Sequence, residues 1–162
     1  VSTAADHRVT IRALVVDPAQ NAPVVVLETD DQQTLLPIWI GMSEASAIAL
    51  ALDGVTPPRP MTHDLLVRAI QASAAHIDRV RIRSIDQGVF HGELHLRGPN
   101  EAIHVLDCRP SDAIAIATRV DCDILVAGDV MAAAGVAPLS REQALEQVLD
   151  TLRPEDLGSY EM

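Results

Sequence analysis

Two short stretches each bring together an arginine, a proline, a hydroxyl residue and an acid. They are Arg59-Pro60-Met61-Thr62-His63-Asp64 and Asp107-Cys108-Arg109-Pro110-Ser111-Asp112. Each stands ahead of a run with helical apolar spacing, so Thr62 and Ser111 are expected as N-caps, with Asp64 and Asp112 in the first helical turns. An acid at that place complements the positive end of the helix dipole, whereas an arginine opposes it. An arginine at a helix start therefore calls for an anion in the gap. That anion is either a neighbouring carboxylate, giving a structural salt bridge, or a phosphate held by guanidinium and backbone N–H groups together. The second alternative is the arrangement phosphodiester chemistry needs.

On the phosphate reading, Arg59 and Arg109 are the phosphate-binding residues and His63, Asp64 and Asp112 the catalytic candidates. His63 can act as a general base from a helix start, or can simply hydrogen-bond locally. Glu44, Asp64, Asp107 and Asp112 all fall at strand ends or helix starts. Carboxylates so placed can hold Mg²⁺ or Mn²⁺, which activates water and stabilises the leaving oxygen. They serve equally as helix-capping acids and arginine partners. His91, Glu93 and His95 alternate along one predicted strand and so share a face. Arg79, Arg81 and Arg83 do the same on another. A solvated sheet face, with the arginines pairing acids such as Glu93, accounts for both stripes. No P-loop, dinucleotide fingerprint, CxxC pair or serine nucleophile elbow is present.

The elements that must position these residues are legible as alternating periods. Strands are expected over Arg8–Val16, with Val9, Ile11, Ala13 and Val15 on one face, and over Pro23–Glu28 and Thr34–Ile40. The last is apolar on both faces, which places it in the sheet interior, although Pro37 favours an edge. A helix capped by Ser43 runs to about Leu52, and a second from His63 to Ala75 follows a stiff connection rich in proline. Strands at Ile77–Ile85 and Val89–Leu96 flank a tight turn at Asp86-Gln87-Gly88. Then come a strand at Ala102–Asp107, a helix at Asp112–Val120, a strand at Asp123–Ala127 and a short helix at Asp129–Ala134. A capping box at Ser140–Gln143 opens a last helix, followed by an acidic tail. The fold class is α+β: a single compact domain at 1–137 with a mixed β-sheet and packed helices, then a C-terminal helix and tail at 138–162.

Composition bounds the partners. The net charge of −11 argues against broad electrostatic binding of nucleic acid. It is unevenly placed: residues 1–120 carry 14 acids and 10 arginines, a net of −4, and residues 121–162 carry 9 acids and 2 arginines, a net of −7. Twelve arginines and no lysine make every fixed positive side chain a guanidinium, suited to bidentate contacts. Two cysteines make neither a disulfide framework nor a zinc site, and no stretch reads as a signal sequence or membrane span. A cytoplasmic location is expected, with no membrane partner.

Four blocks in register carry a resemblance: Leu36-Pro37-Ile38-Trp39-Ile40-Gly41, Glu44-Ala45 with Ala47-Ile48-Ala49, Arg59-Pro60-Met61-Thr62-His63-Asp64-Leu65-Leu66, and Asp107 with Arg109-Pro110-Ser111-Asp112-Ala113-Ile114-Ala115. Over roughly residues 8–137 the chain resembles the bifunctional nuclease family, once a domain of unknown function. It departs from the family pattern at His91-Gly92 and at Asp121-Cys122-Asp123, away from the Arg-Pro motifs. The resemblance implies a compact mixed α and β domain, nuclease activity toward DNA and RNA, and assembly as a homodimer or larger homo-oligomer. It assigns no mechanism to any residue. Two functions stand open: a metal-dependent nuclease of low sequence specificity, and a non-catalytic regulatory module of the same fold that binds an anion or partner.

Overall fold

The computed structural model describes residues 5–138. Among them seven strands and four helices follow in the order β1 (His7–Asp17), β2 (Ala22–Thr29), β3 (Leu35–Trp39), α1 (Met42–Leu52), α2 (Thr62–Ala72), β4 (His76–Asp86), β5 (Val89–Arg97), β6 (Ile103–Cys108), α3 (Pro110–Val120), β7 (Asp123–Val126) and α4 (Gly128–Ala134). The strands form one sheet in the order β3-β2-β1-β7-β4-β5-β6. Every neighbouring pair is antiparallel except β4 with β7. The sheet is thus mixed, and the α+β architecture expected from the sequence is observed.

Helix α3 sits at the centre. Ala113, Ile114, Ala115, Ile116 and Ala117 are all buried, so the helix is enclosed on every side. It lies against β4, β5 and β7, with α1 and α2 packed on it. The three alanines let neighbouring backbones approach. Ile114 and Ile116, with Leu27, Leu36, Ile48 and Ile82, supply the largest buried side chains. Full burial of each contributes about 1.5–3 kcal/mol.

Three expectations are corrected. β3 is not interior but an outer strand. Pro37 has no N–H to donate, and on an outer strand that position can face away from the ladder. Both faces are apolar for another reason: Leu36 and Ile38 enter the core, while Leu35 is bridged to Val136 beyond α4. In β1 the register shifts between Ile11 and Ala13, and this bulge turns Leu14 toward the core and leaves Val15 exposed. The helix caps also move. Gly41, Met61 and Arg109 are the N-cap residues, rather than Ser43, Thr62 and Ser111. Pro110 explains the third, because it takes N1 and holds Arg109 extended before it. The helix expected from Ser140 lies outside the described residues.

The recapped helices share one rule. Counting from each cap, Glu44, Asp64 and Asp112 all occupy N3 of their helices. An N3 acid is where a side chain reaches back toward free N–H groups.

Candidate functional site

The first turns of α1, α2 and α3 supply three side chains, Glu44, His63 and Asp112, that gather beside Arg109, the N-cap of α3. Its Nε and Nη2 donate to the two carboxylate oxygens of Asp112 at 2.8 and 3.1 Å, and its Nη1 donates to Glu44 Oε1 at 2.8 Å. His63 of α2 closes the group, with Nε2 2.9 Å from Asp112 Oδ1. Asp112 is therefore held by an arginine on its own helix and a histidine on another. Burial acts to raise its carboxyl, but the hydrogen bonds from Arg109 and His63 prevail and hold it below the ordinary 3.8. The Arg109 guanidinium is pushed up in turn by Asp112 and then Glu44, so it stays charged.

Exposure grades across the cluster. The His63 side chain is 14% exposed, whereas that of Arg109 is 65% exposed. Of the five guanidinium N–H groups, three are used, leaving one on each Nη without a partner among the described residues. A guanidinium this exposed, with donors to spare, can hold phosphate oxygens.

Local sequence explains the placement. Gly92 on β5 is paired with Cys108, and a Cβ there would lie 3.1 Å from Cys108 O and 3.3 Å from Pro110 N. Glycine there spares the β6–α3 junction a tight contact and lets it cross close to β5. At Gly41 a Cβ would run into the Glu44 carboxylate, so that glycine leaves the space Glu44 needs to reach Arg109. Cys108 adjoins Arg109, but burial pushes its thiol up to about 11, so it is no thiolate nucleophile near neutrality.

The structure brings together Glu44, His63, Arg109 and Asp112, and separates the rest. Asp64 Oδ1 accepts from Arg119 Nε at 2.6 Å, and its Oδ2 accepts from the Met61 N–H at 2.8 Å. It fastens α2 to the far end of α3. The hydrogen bond from Arg119 holds its carboxyl below 3.8. Asp107 pairs with Arg83 at 3.1 Å, and strand alternation directs it to the sheet face opposite Cys108. Arg59 lies two residues ahead of the α2 cap and makes no ion pair among the described residues. The two Arg-Pro motifs are thus unequal: the second turns its arginine back onto its own N3 acid, and the first does not. Arg81 and Arg83 pair with Glu93, at 3.6 and 3.9 Å, as expected, but the face is not freely solvated: His95 is buried, with Nε2 3.1 Å from Glu93 Oε2.

Divalent metal does not fit the acids as they stand. Glu44 and Asp112 share the Arg109 guanidinium, Asp64 is taken by Arg119 and Asp107 by Arg83. Among the described residues no three His, Cys, Asp or Glu side chains converge as a ligand set.

A cavity of about 340 Å³ opens beside Arg109, between the end of β3 and the β4–β5 turn. Trp39 and Phe90 line it together with Glu44 and Arg109. Sequence reading treated Trp39 as core and missed this wall. The available signal was scarcity, since the chain has one Trp and one Phe.

A family model described as the bifunctional nuclease domain matches residues 25–138, a stretch that holds all four clustered residues. The chain belongs to the bifunctional nuclease domain family. An uncharacterized protein of Mycobacterium tuberculosis (strain ATCC 25618 / H37Rv) is 39% identical over 145 residues, 90% of this chain and 85% of that protein. Bifunctional nuclease 1 of Oryza sativa subsp. indica is 29% identical over 112 residues, 68% of this chain and 34% of the rice protein. Bifunctional nuclease 2 of Oryza sativa subsp. japonica is 32% identical over 107 residues, 64% of this chain and 33% of that protein. This bifunctional nuclease domain thus spans about a third of each rice relative. No helix among the described residues is long and apolar enough to cross a membrane.

Proposed function

We propose that this bifunctional nuclease domain cleaves phosphodiester bonds of DNA or RNA, with little sequence preference, at the cluster of His63, Arg109 and Asp112. The observation that carries the proposal is the 2.9 Å contact between His63 and Asp112 beside an exposed guanidinium. When Nε2–H is donated to the carboxylate, Nδ1 keeps its lone pair and Asp112 stabilises the imidazolium that forms later. Nδ1 takes a proton from the attacking water as its oxygen bonds to phosphorus. The ester oxygen on the far side leaves and is protonated by solvent. The N–H groups of Arg109 not taken by Asp112 and Glu44 hold the non-bridging oxygens, on which charge accumulates.

The test is an assay of purified protein on end-labelled single-stranded DNA and RNA, with and without EDTA. Cleavage of either polymer supports the proposal, and cleavage of neither under any divalent condition overturns it. The metal dependence expected from the sequence rests on the acids alone, and all four are engaged by arginines. Cleavage that survives EDTA supports the His63 route. Cleavage abolished by EDTA transfers water activation to a recruited Mg²⁺ or Mn²⁺. A non-catalytic anion- or partner-binding module is the second reading, favoured by the net charge of −11 and by the ion-paired state of every acid in the cluster. Binding without cleavage would establish it.

Assembly as a homo-oligomer belongs to the same proposal. β6 ends the sheet, and its Ile103, Val105 and Leu106 are exposed along a strand with one free side, a surface suited to a second copy. Light scattering giving a mass near 17.4 kDa at high concentration would refute it.

A further inference from the structure

The cavity beside Arg109 has a composition unlike the rest of the molecule. Aromatic residues make up 2% of the chain, yet its single Trp and single Phe both line this space. Trp39 closes β3 and is 47% exposed. It is not loose, because its indole Nε1 donates to Asp17 Oδ2 at 2.9 Å, which ties the ring to the end of β1. The opposite wall is the β4–β5 turn. Gln87 and Gly88 both have positive φ there, at 48° and 81°, and the tight reversal carries Val89 and Phe90 to the rim. Val89, like Trp39, meets solvent. Trp39, half-exposed, thus lines an open space across from Val89 and Phe90, and an exposed ring offers a flat surface on which a planar group can stack. The cavity volume, about 340 Å³, lies at the small end for ligand sites. It is a space for one ring system rather than a duplex. Arg109 and Glu44 share the lining, so a ligand in the cavity lies beside the guanidinium.

We propose that this cavity is a subsite for one unpaired nucleobase, stacked on Trp39 between β3 and the β4–β5 turn, with the adjoining backbone phosphate on Arg109. The proposal rests on the phosphodiesterase reading of the neighbouring cluster and gives it a substrate form: single-stranded nucleic acid, or a base flipped out of a helix. Stacking on an aromatic side chain tolerates any base, because every base has a π-face. That matches an activity with little sequence preference. A base paired inside a duplex presents no such face.

Trp39 is the only tryptophan, so emission excited selectively at tryptophan reports this ring alone. The full chain is titrated with a dye-labelled phosphorothioate oligothymidylate, which resists cleavage, and with an abasic sugar-phosphate oligomer of equal length. Dye anisotropy reports binding and Trp39 emission reports contact with the ring. Trp39 emission should be quenched by the oligothymidylate with the same midpoint as the anisotropy change, and left unaltered by the abasic oligomer. Trp39→Leu should weaken the oligothymidylate roughly ten- to hundred-fold while leaving the abasic oligomer within about two-fold. Anisotropy without quenching, or equal weakening of both oligomers by Trp39→Leu, overturns the subsite and leaves nucleic-acid binding standing. No anisotropy change with either oligomer removes nucleic acid as the ligand, and the subsite with it. The fluorescence titration uses the unaltered chain, so the outcome does not depend on how well the variant folds.

Discussion

Asp64 is a catalytic candidate by sequence and the partner of Arg119 and the Met61 N–H in the structure, and Asp64→Ala separates a catalytic from a structural part. The carboxylate makes two bonds. One is an N3-type cap on the Met61 N–H at 2.8 Å, and loss of a cap costs about 1 kcal/mol. The other is a charged bond to Arg119 at 2.6 Å, and hydrogen bonds to charged groups contribute about 1.5–3 kcal/mol. Arg119 is only 10% exposed, so its guanidinium is left largely out of water, with the Ala115 carbonyl as its remaining acceptor at 2.8 Å. The upper part of the range is therefore expected, and the two losses together come to about 3–4 kcal/mol. At roughly 2–4 °C per kcal/mol for a chain of this size, Tm should fall by about 10 °C. Cleavage per folded molecule, assayed well below that transition, should stay within about three-fold of the parent. Thermal melts followed by circular dichroism and single-turnover cleavage on the same preparations give both numbers. A stable Asp64→Ala protein that no longer cleaves would place Asp64 in the reaction and refute the structural clip.

Other perturbations follow from the same geometry. Gly41→Ala should cost about 1 kcal/mol, because alanine is a poor N-cap and its Cβ displaces the Glu44 carboxylate from Arg109; urea denaturation showing no loss would contradict this. Arg109→Lys keeps the charge but loses the fork, so cleavage should drop at least about ten-fold while Tm changes little, and unchanged activity per folded molecule would remove Arg109 from the site. Asp64 and Asp112 both titrate below their ordinary 3.8, so the stability they contribute is present above that pH and lost as pH falls through the lower folded value. Tm should therefore drop steeply below roughly pH 4, and less steeply in Asp64→Ala; parallel curves for the two proteins would count against the assignment.

Much of the fold was readable because periodicity records burial. Val80 and Ile82 point inward between Arg79, Arg81 and Arg83, and the Gln87-Gly88 turn lies where its residue types put it. The place of β3 was not readable from hydrophobicity, since an outer strand covered by a neighbouring segment is as apolar as a central one; Pro37 carried the better signal. The β1 bulge leaves no mark in composition, so Ala13 and Val15 were put on the wrong side of it. In the cluster, Arg109 with Asp112 follows from their three-residue spacing on one helix. Their meeting with Glu44 and His63 depends on how three helices converge, which no local pattern encodes. The partition of Asp64 to Arg119 and of Asp107 to Arg83 was hidden for the same reason. Trp39 was legible only as a rarity, and its exposure needed coordinates.

In the proposed reaction His63, oriented by Asp112, takes the proton from the water that attacks the phosphodiester. The most direct test of that step is the single-turnover rate of His63→Asn on labelled single-stranded RNA or DNA, set beside the parent at matched fold content. General base catalysis contributes roughly 10²–10⁴-fold, so the variant should cleave at least about a hundred times more slowly while still binding the polymer. A His63→Asn protein that cleaves at the parental rate would contradict the account.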